Sequence, residues 1–243
     1  MAMNFTTPIL LAMGIIFISA FVRSAIGFGD ALIAMPLLAM TLGIQIATPL
    51  VAFAASTIAV TILARNWRSV DIRSAWRLIL LSLAGIPFGL VLLRVAPEYM
   101  VKAILGVLLI LYGLYSLVTP ALPVIRSERS AYIFGFVAGV LGGAYNTNGP
   151  PIVMYGLLRR WPPENFRATL QCYFLFTGLS ILIGHGLAGL WTPFVLRLYL
   201  YSIPLIMLAI YAGGRINNHI PRDFFSRIVY AFLIVIGALF LIP

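Results

Sequence analysis

Charge is scarce in this chain. Only 9% of its residues are Asp, Glu, Lys or Arg, against about 25% in soluble domains. Six residues are acidic, and Lys102 is the single lysine. That is too little polar side chain to cover a soluble domain. A disordered chain is excluded too, because disorder requires low hydrophobicity and high charge. The single cysteine, Cys172, cannot close an intramolecular disulfide, which removes the disulfide-scaffold class. Two histidines and one cysteine are too few for a metal centre at ligand spacing. There is no Walker loop, and Gly27-Phe28-Gly29 does not follow a strand, so neither ATP hydrolysis nor dinucleotide binding is expected. No Ser, His and Asp fall at one membrane depth. The expectation is therefore no catalytic residue, no metal and no cofactor.

What the chain has is apolar length. Hydrophobic residues make up 62% of it, and residues 31–64, 78–93, 103–125, 130–158, 168–196, 198–214 and 228–243 carry no charge. A spanning helix needs roughly 20 apolar residues, so the longest runs must contain turns or breaks. Thr-Pro pairs at Thr7-Pro8, Thr48-Pro49 and Thr192-Pro193 offer an N-cap followed by a residue suited to the first helical turn. Acids beside Pro97 and Pro163 suit helix starts. Full spans are predicted at 49–66, 75–94, 98–118, 165–187, 193–213 and 222–242. Two segments remain, 8–43 and 130–158, each apolar at both ends and broken in the middle. The N-terminus lacks a basic n-region and a clear cleavage site, and reads as the first membrane segment.

The formal net charge is +10. In a soluble protein that would suggest nucleic acid. Here the arginines form short clusters between apolar runs, which is positive-inside patterning, and no nucleic-acid partner is expected. The clusters Arg65/Arg68/Arg73/Arg77, Arg126/Arg129, Arg159/Arg160/Arg167 and Arg215/Arg222/Arg227 fall on one side if each broken segment enters and leaves on the same side. Both termini are then outside. Whether each broken hairpin turns at the midplane (re-entrant) or crosses fully is open.

The two broken segments resemble each other. At an offset of 115, Ile18, Phe21, Val22, Gly27 and Pro36 meet Ile133, Phe136, Val137, Gly142 and Pro151. At an offset of 124, Pro97, Ile104, Leu109, Ile110 and Gly113 meet Pro221, Ile228, Leu233, Ile234 and Gly237. The predicted fold class is an all-α polytopic membrane protein. It has two inverted repeats, each a broken helix hairpin plus three transmembrane helices. The N-terminal repeat is 1–118, the cytoplasmic linker 119–129 and the C-terminal repeat 130–243. An odd number of crossings per repeat makes the repeats inverted, and inverted repeats with broken helices mark secondary transporters.

The first break runs from Arg23 through Gly27-Phe28-Gly29 to Asp30. The second runs from Gly139 through Gly142-Gly143, Tyr145-Asn146-Thr147-Asn148 and Gly149 to Pro150-Pro151. Non-helical backbone at membrane depth is tolerated only where protein or a watery cavity satisfies it, and the N–H groups of a half-helix favour an anion. The alternative is a packing glycine cluster, since small residues let membrane helices approach.

The pieces AIGFGDALIAMPLL and GVLGGAYNTNGPPIVMYGLL resemble the two signature segments of the sulfite exporter TauE/SafE family, also called the 4-toluene sulfonate uptake permease family. ENFRATLQCYF resembles the stretch that follows the second. The resemblance covers nearly the whole chain. It implies a multi-pass carrier of sulfur-containing anions in a bacterial inner (plasma) membrane. Asp30 departs from the pattern, which places a small residue after Gly-Phe-Gly.

Arg23 and Asp30 admit three roles: pairing with each other, Arg23 holding the anion through its forked guanidinium, or Asp30 carrying a coupling proton. The expected substrate-binding set is Arg23, Gly27, Phe28, Gly29, Tyr145, Asn146, Thr147, Asn148, Gly149 and Gln171, with Asp30 as proton carrier. Ser56, Thr57, Thr177 and Ser180 are further hydroxyls on helices that follow the breaks. His185 reads as a hydrogen-bonded structural residue, and Arg197 as a snorkelling one. The expected function is secondary transport of sulfite or an organosulfonate, most readily export. An anion channel and an accessory or scaffold subunit are the rival readings. The expected partners are the small anion and the lipid bilayer, with oligomeric state undetermined.

Overall fold

The structure, a computed structural model, describes residues 6–118, 124–125, 127–216 and seven positions between 230 and 241. Those residues form helices and no strand. In order they are α1 (Thr6–Ile26), α2 (Asp30–Leu42), α3 (Ile44–Asn66), α4 (Ile72–Val95), α5 (Glu98–Val118), α6 (Ser130–Tyr145), α7 (Gly149–Leu158), α8 (Pro163–Leu187) and α9 (Pro193–Ile216). A short 3-10 turn, Trp67–Ser69, follows α3. Of the expected span 222–242, the described positions Tyr230, Ala231, Ile234, Val235, Gly237, Ala238 and Leu241 are helical; the rest lies outside the described residues, as does most of the linker 119–129.

Among the described residues, five helices are long and apolar enough to cross a membrane: α1, α3, α4, α8 and α9. α2 has 13 residues and α7 has 10. At 1.5 Å per residue these are about 20 and 15 Å long, short of the roughly 30 Å hydrocarbon core.

Helix boundaries follow local chemistry, with one correction. Thr192 caps α9 as expected, its hydroxyl accepting from the Val195 N–H at 3.3 Å. Thr48 does not cap α3. That helix already starts at Ile44, after Gly43 with φ 81°, and the Thr48 hydroxyl donates to the Ile44 carbonyl at 3.0 Å. The glycine supplies the chain reversal, so the Thr-Pro pair is absorbed into the second turn. Asp71 caps α4, accepting from the N–H groups of Arg73 and Ser74.

The packing runs α1 against α9, α4 against α6 and α3 against α8. α2 and α7 are tucked between their neighbours, and α3 and α4 touch α9 and α8 respectively. Glycine makes the closest crossings. A Cβ on Gly85 of α4 would strike the backbone of Phe136, Gly139 and Val140 in α6. A Cβ on Gly213 of α9 would strike Phe21, Ser24 and Ala25 in α1. One on Gly113 meets Ile234, and one on Gly237 meets Ile110. Small residues of this kind let helix backbones meet where lipid offers no hydrophobic drive to pack. Ser82 reinforces the α4–α6 crossing by donating to the Gly135 carbonyl at 2.7 Å, and it lies 2.6 Å from the Tyr173 hydroxyl of α8.

Candidate functional site

Both expected breaks are present. Between α1 and α2 the chain is non-helical at Gly27, Phe28 and Gly29, with φ +104° and +98° at the two glycines. These left-handed angles suit glycine and strain any side chain. Between α6 and α7 it is non-helical at Asn146, Thr147 and Asn148, and Asn146 takes φ 55°, which asparagine tolerates. Gly139, Gly142 and Gly143 lie inside α6. They serve the crossings with α4 and α8 and the approach of Asn148. The second break is therefore narrower than the glycine pattern suggests, and it falls on the polar triplet.

Arg23 is 2% exposed, and its hydrogen bonds lead back to the first break. Its Nη1 donates to Asp30 Oδ2 at 2.7 Å. Its Nη2 and Nε donate to Gln171 Oε1 at 2.8 and 3.3 Å. The guanidinium carbon lies 4.8 Å from the centroid of the Phe174 ring. Gln171 turns its other end to the loop, where Nε2 donates to the Gly27 carbonyl at 2.6 Å. Arg167, one turn earlier on α8, donates to the Ser24 carbonyl at 2.5 Å and lies over Gly27. Arg23 ends α1 and Asp30 begins α2, so each charge sits where its helix dipole favours it. Of the three roles open to the pair, the mutual ion pair is the one formed here.

The second break is tied down from α3 and α8. Asn146 Nδ2 donates to the Thr48 carbonyl at 2.7 Å. Asn148 Nδ2 donates to the Thr177 hydroxyl at 3.0 Å, and Thr177 in turn donates to the Tyr173 carbonyl at 2.8 Å. Thr147 is 4% exposed and Tyr145 fully buried, and neither hydroxyl has a hydrogen-bond partner among the described residues.

The two breaks meet. Gly29 and Asp30 from the first, and Asn146, Thr147 and Gly149 from the second, wall one small void closed by Leu32, Pro150 and Phe174. Its volume is about 10 Å³, room for about one water. Thr147, Leu32 and Pro150 also line a larger, half-open groove of about 490 Å³, in which Ile133 and Leu111 are exposed. Its walls are apolar, among them Leu108 and Tyr112 of α5, Phe134 and Leu141 of α6 and Met154 of α7.

Of the expected set, Gly29, Asn146, Thr147 and Gly149 line the small void, together with Asp30. Arg23, Gly27 and Gln171 form the hydrogen-bonded layer behind the first break. Asn148 is turned toward α8, and Phe28 packs into the apolar cluster around Tyr173. Sequence reasoning missed Phe174 and the approach of Arg167 to the loop. Both stand on one face of α8 with Gln171, at i+3 and i−4, and that spacing was the available signal. Ser56 is buried without a hydrogen-bond partner, against Gly178. His185 is fully buried, with the backbone of Gly143 beside its ring, in keeping with the expected structural role.

The family profile described as Sulfite exporter TauE/SafE matches residues 11–240. The curated "Probable sulfite/organosulfonate exporter TauE" of Cupriavidus necator is 22% identical, over 97% of this chain and 94% of that protein. No solved structure matches the chain. With a match over nearly its full length and five helices among the described residues long and apolar enough to span, this multi-pass membrane chain belongs to the sulfite exporter TauE/SafE family, whose members are transporters and not enzymes.

Proposed function

We propose that the chain exports sulfite or an organosulfonate across the inner membrane by alternating access, binding the anion between the two breaks. One observation carries this reading: two breaks far apart in sequence wall a single void, and that void contains backbone glycines, an ion-paired acid and an unpartnered hydroxyl. The void is too small for an anion as it stands, so entry requires the breaks to part. Arg23 supplies the positive charge. A buried guanidinium is costly without a counter-charge, so an arriving anion exchanges with the Asp30 carboxylate. Asp30, the expected proton carrier, would serve coupled uptake and is not required for export.

The same reading holds that the halves are inverted repeats rocking about the site. Reciprocal contacts support it. Phe21, Ser24 and Ala25 against Gly213 match Phe136, Gly139 and Val140 against Gly85, the α1 and α6 residues at an offset of 115 and the two glycines at 128. Gly113 against Ile234 matches Gly237 against Ile110, at an offset of 124. A contact and its exchanged copy are what a two-fold axis between repeats produces. Export needs no coupling: at 100 mV inside-negative, expulsion gains roughly 2.3 kcal/mol for a monoanionic sulfonate and roughly 4–5 kcal/mol for dianionic sulfite. The apolar groove that meets the void at Thr147 favours an organosulfonate over bare sulfite, because it offers a carbon tail a place to lie.

The test is flux of sulfite in liposomes at set pH and voltage, with alkylsulfonates of increasing length as competitors. Saturable flux with tail-dependent competition is expected. Absence of flux for every sulfur anion would sink the reading, and conductance far above carrier turnover would replace it with a channel.

A further inference from the structure

α4 and α6 run parallel. Leu78, Ser82 and Ile86 of α4 meet Gly135, Gly139 and Gly143 of α6 in the same order. Their N-terminal ends therefore lie side by side, and there the end of α7 joins them around a separate pocket of about 140 Å³. Arg73, Arg77, Arg159, Glu128, Tyr155 and Trp161 line it, so among the described residues three guanidiniums share the walls with one carboxylate. Two of the arginines are held in place. Arg77 pairs with Glu128 at 2.5 Å and lies 4.8 Å from the Trp76 ring centroid. Arg159 donates to the Ile125 carbonyl at 3.2 Å. Trp76 is exposed, and Arg68 lies over the exposed Trp67 ring. Tryptophans and arginines at the ends of apolar helices mark the headgroup level of a bilayer.

We propose that this pocket binds a phosphate-type oxyanion, carried by the headgroup of an anionic phospholipid or present as the free ion. The excess of guanidinium over carboxylate sets the sign of the ligand. Arginine matches phosphate geometry with its forked donors, and basic pockets between membrane helices take anionic headgroups. The level of the tryptophans favours the lipid. The site has a mechanical reach as well. α7 opens at the second break and ends at this pocket, so a bound headgroup pins the far end of the half-helix that carries Gly149 to the α4–α6 pair.

The experiment uses the full chain in phosphatidylcholine discs, with cardiolipin or with inorganic phosphate added, and reads Tm and retained lipid by native mass spectrometry. Cardiolipin is expected to raise Tm and to be retained in preference to phosphatidylcholine, less so at high salt. Arg73→Gln combined with Arg159→Gln should weaken the cardiolipin response about tenfold or more, equivalent to about 1.4 kcal/mol. A response to phosphate that matches the response to cardiolipin assigns the site to the free ion. No Tm response to either and no preferential lipid retention by the unsubstituted protein overturns the proposal, as does a substituted protein that folds and responds like the original. The first two readouts need no variant, and none of them depends on transport.

Discussion

Asp30 concentrates the chemistry of the first break in one carboxylate. Its ion pair with Arg23 is buried, and removing one partner of such a pair typically costs about 3–5 kcal/mol. Asp30→Asn should therefore lower Tm sharply. If Arg23 is an anion ligand, added sulfite should recover more of that loss in the variant than it adds to the original protein, since the anion replaces the missing charge. An equal response in both proteins would remove Arg23 from the binding set. Thr147 gives the opposite balance. Its hydroxyl has no partner among the described residues, so Thr147→Val should leave stability unchanged or slightly raised. If the hydroxyl meets the anion, losing one hydrogen bond to a charge, worth about 1.5–3 kcal/mol, should raise the KM for flux at least tenfold.

At the scale of elements, glycine divides into positions that pack and positions that turn. Gly85 and Gly139 stand where a Cβ would enter the partner backbone, while Gly14 has nothing within 4 Å. Gly85→Ala should cost about 1–3 kcal/mol or more through overpacking. Gly14→Ala should be neutral or stabilising by about 0.5–1 kcal/mol, because alanine favours a helix interior. Thermal melts in one detergent compare the two directly. Gly29→Ala tests the turning class. Its left-handed angle costs a side chain about 1–2 kcal/mol, although the nearest atom to a new Cβ is 3.9 Å away. A melt unchanged by Gly29→Ala would mean that the break relaxes at no cost. The long helices α3, α4, α8 and α9 were legible in sequence because charge-free runs mark them. The second break was legible only roughly. Glycines that serve crossings and glycines that serve a turn look alike until the neighbouring helix is in place.

For the whole molecule, sidedness follows from arginine clusters and can be measured. The loop after α3 is expected inside and the loop after α8 outside. Ser69→Cys and Leu187→Cys place exposed thiols near these two loops, while the native Cys172 is buried. A membrane-impermeant maleimide on intact cells should label Leu187→Cys at once and Ser69→Cys only after permeabilisation. The reverse pattern would turn the topology over and move the basic pocket of α4, α6 and α7 to the outer face.

The amino-acid sequence by itself determined the membrane class, the element order, the absence of a sheet among the described residues and the family. Each depends on local or summed properties: charge-free length, capping residues and a repeated pattern of breaks. Only the tertiary structure decided that Arg23 is already paired, that Gln171 bridges it to the Gly27 carbonyl, that Phe174 closes the void and that Thr147 connects it to an apolar groove. The physical reason is distance in the chain. Gln171 lies 148 positions from Arg23, and whether a buried charge waits for a ligand or is satisfied by its own protein depends on which side chains the fold brings within about 3 Å.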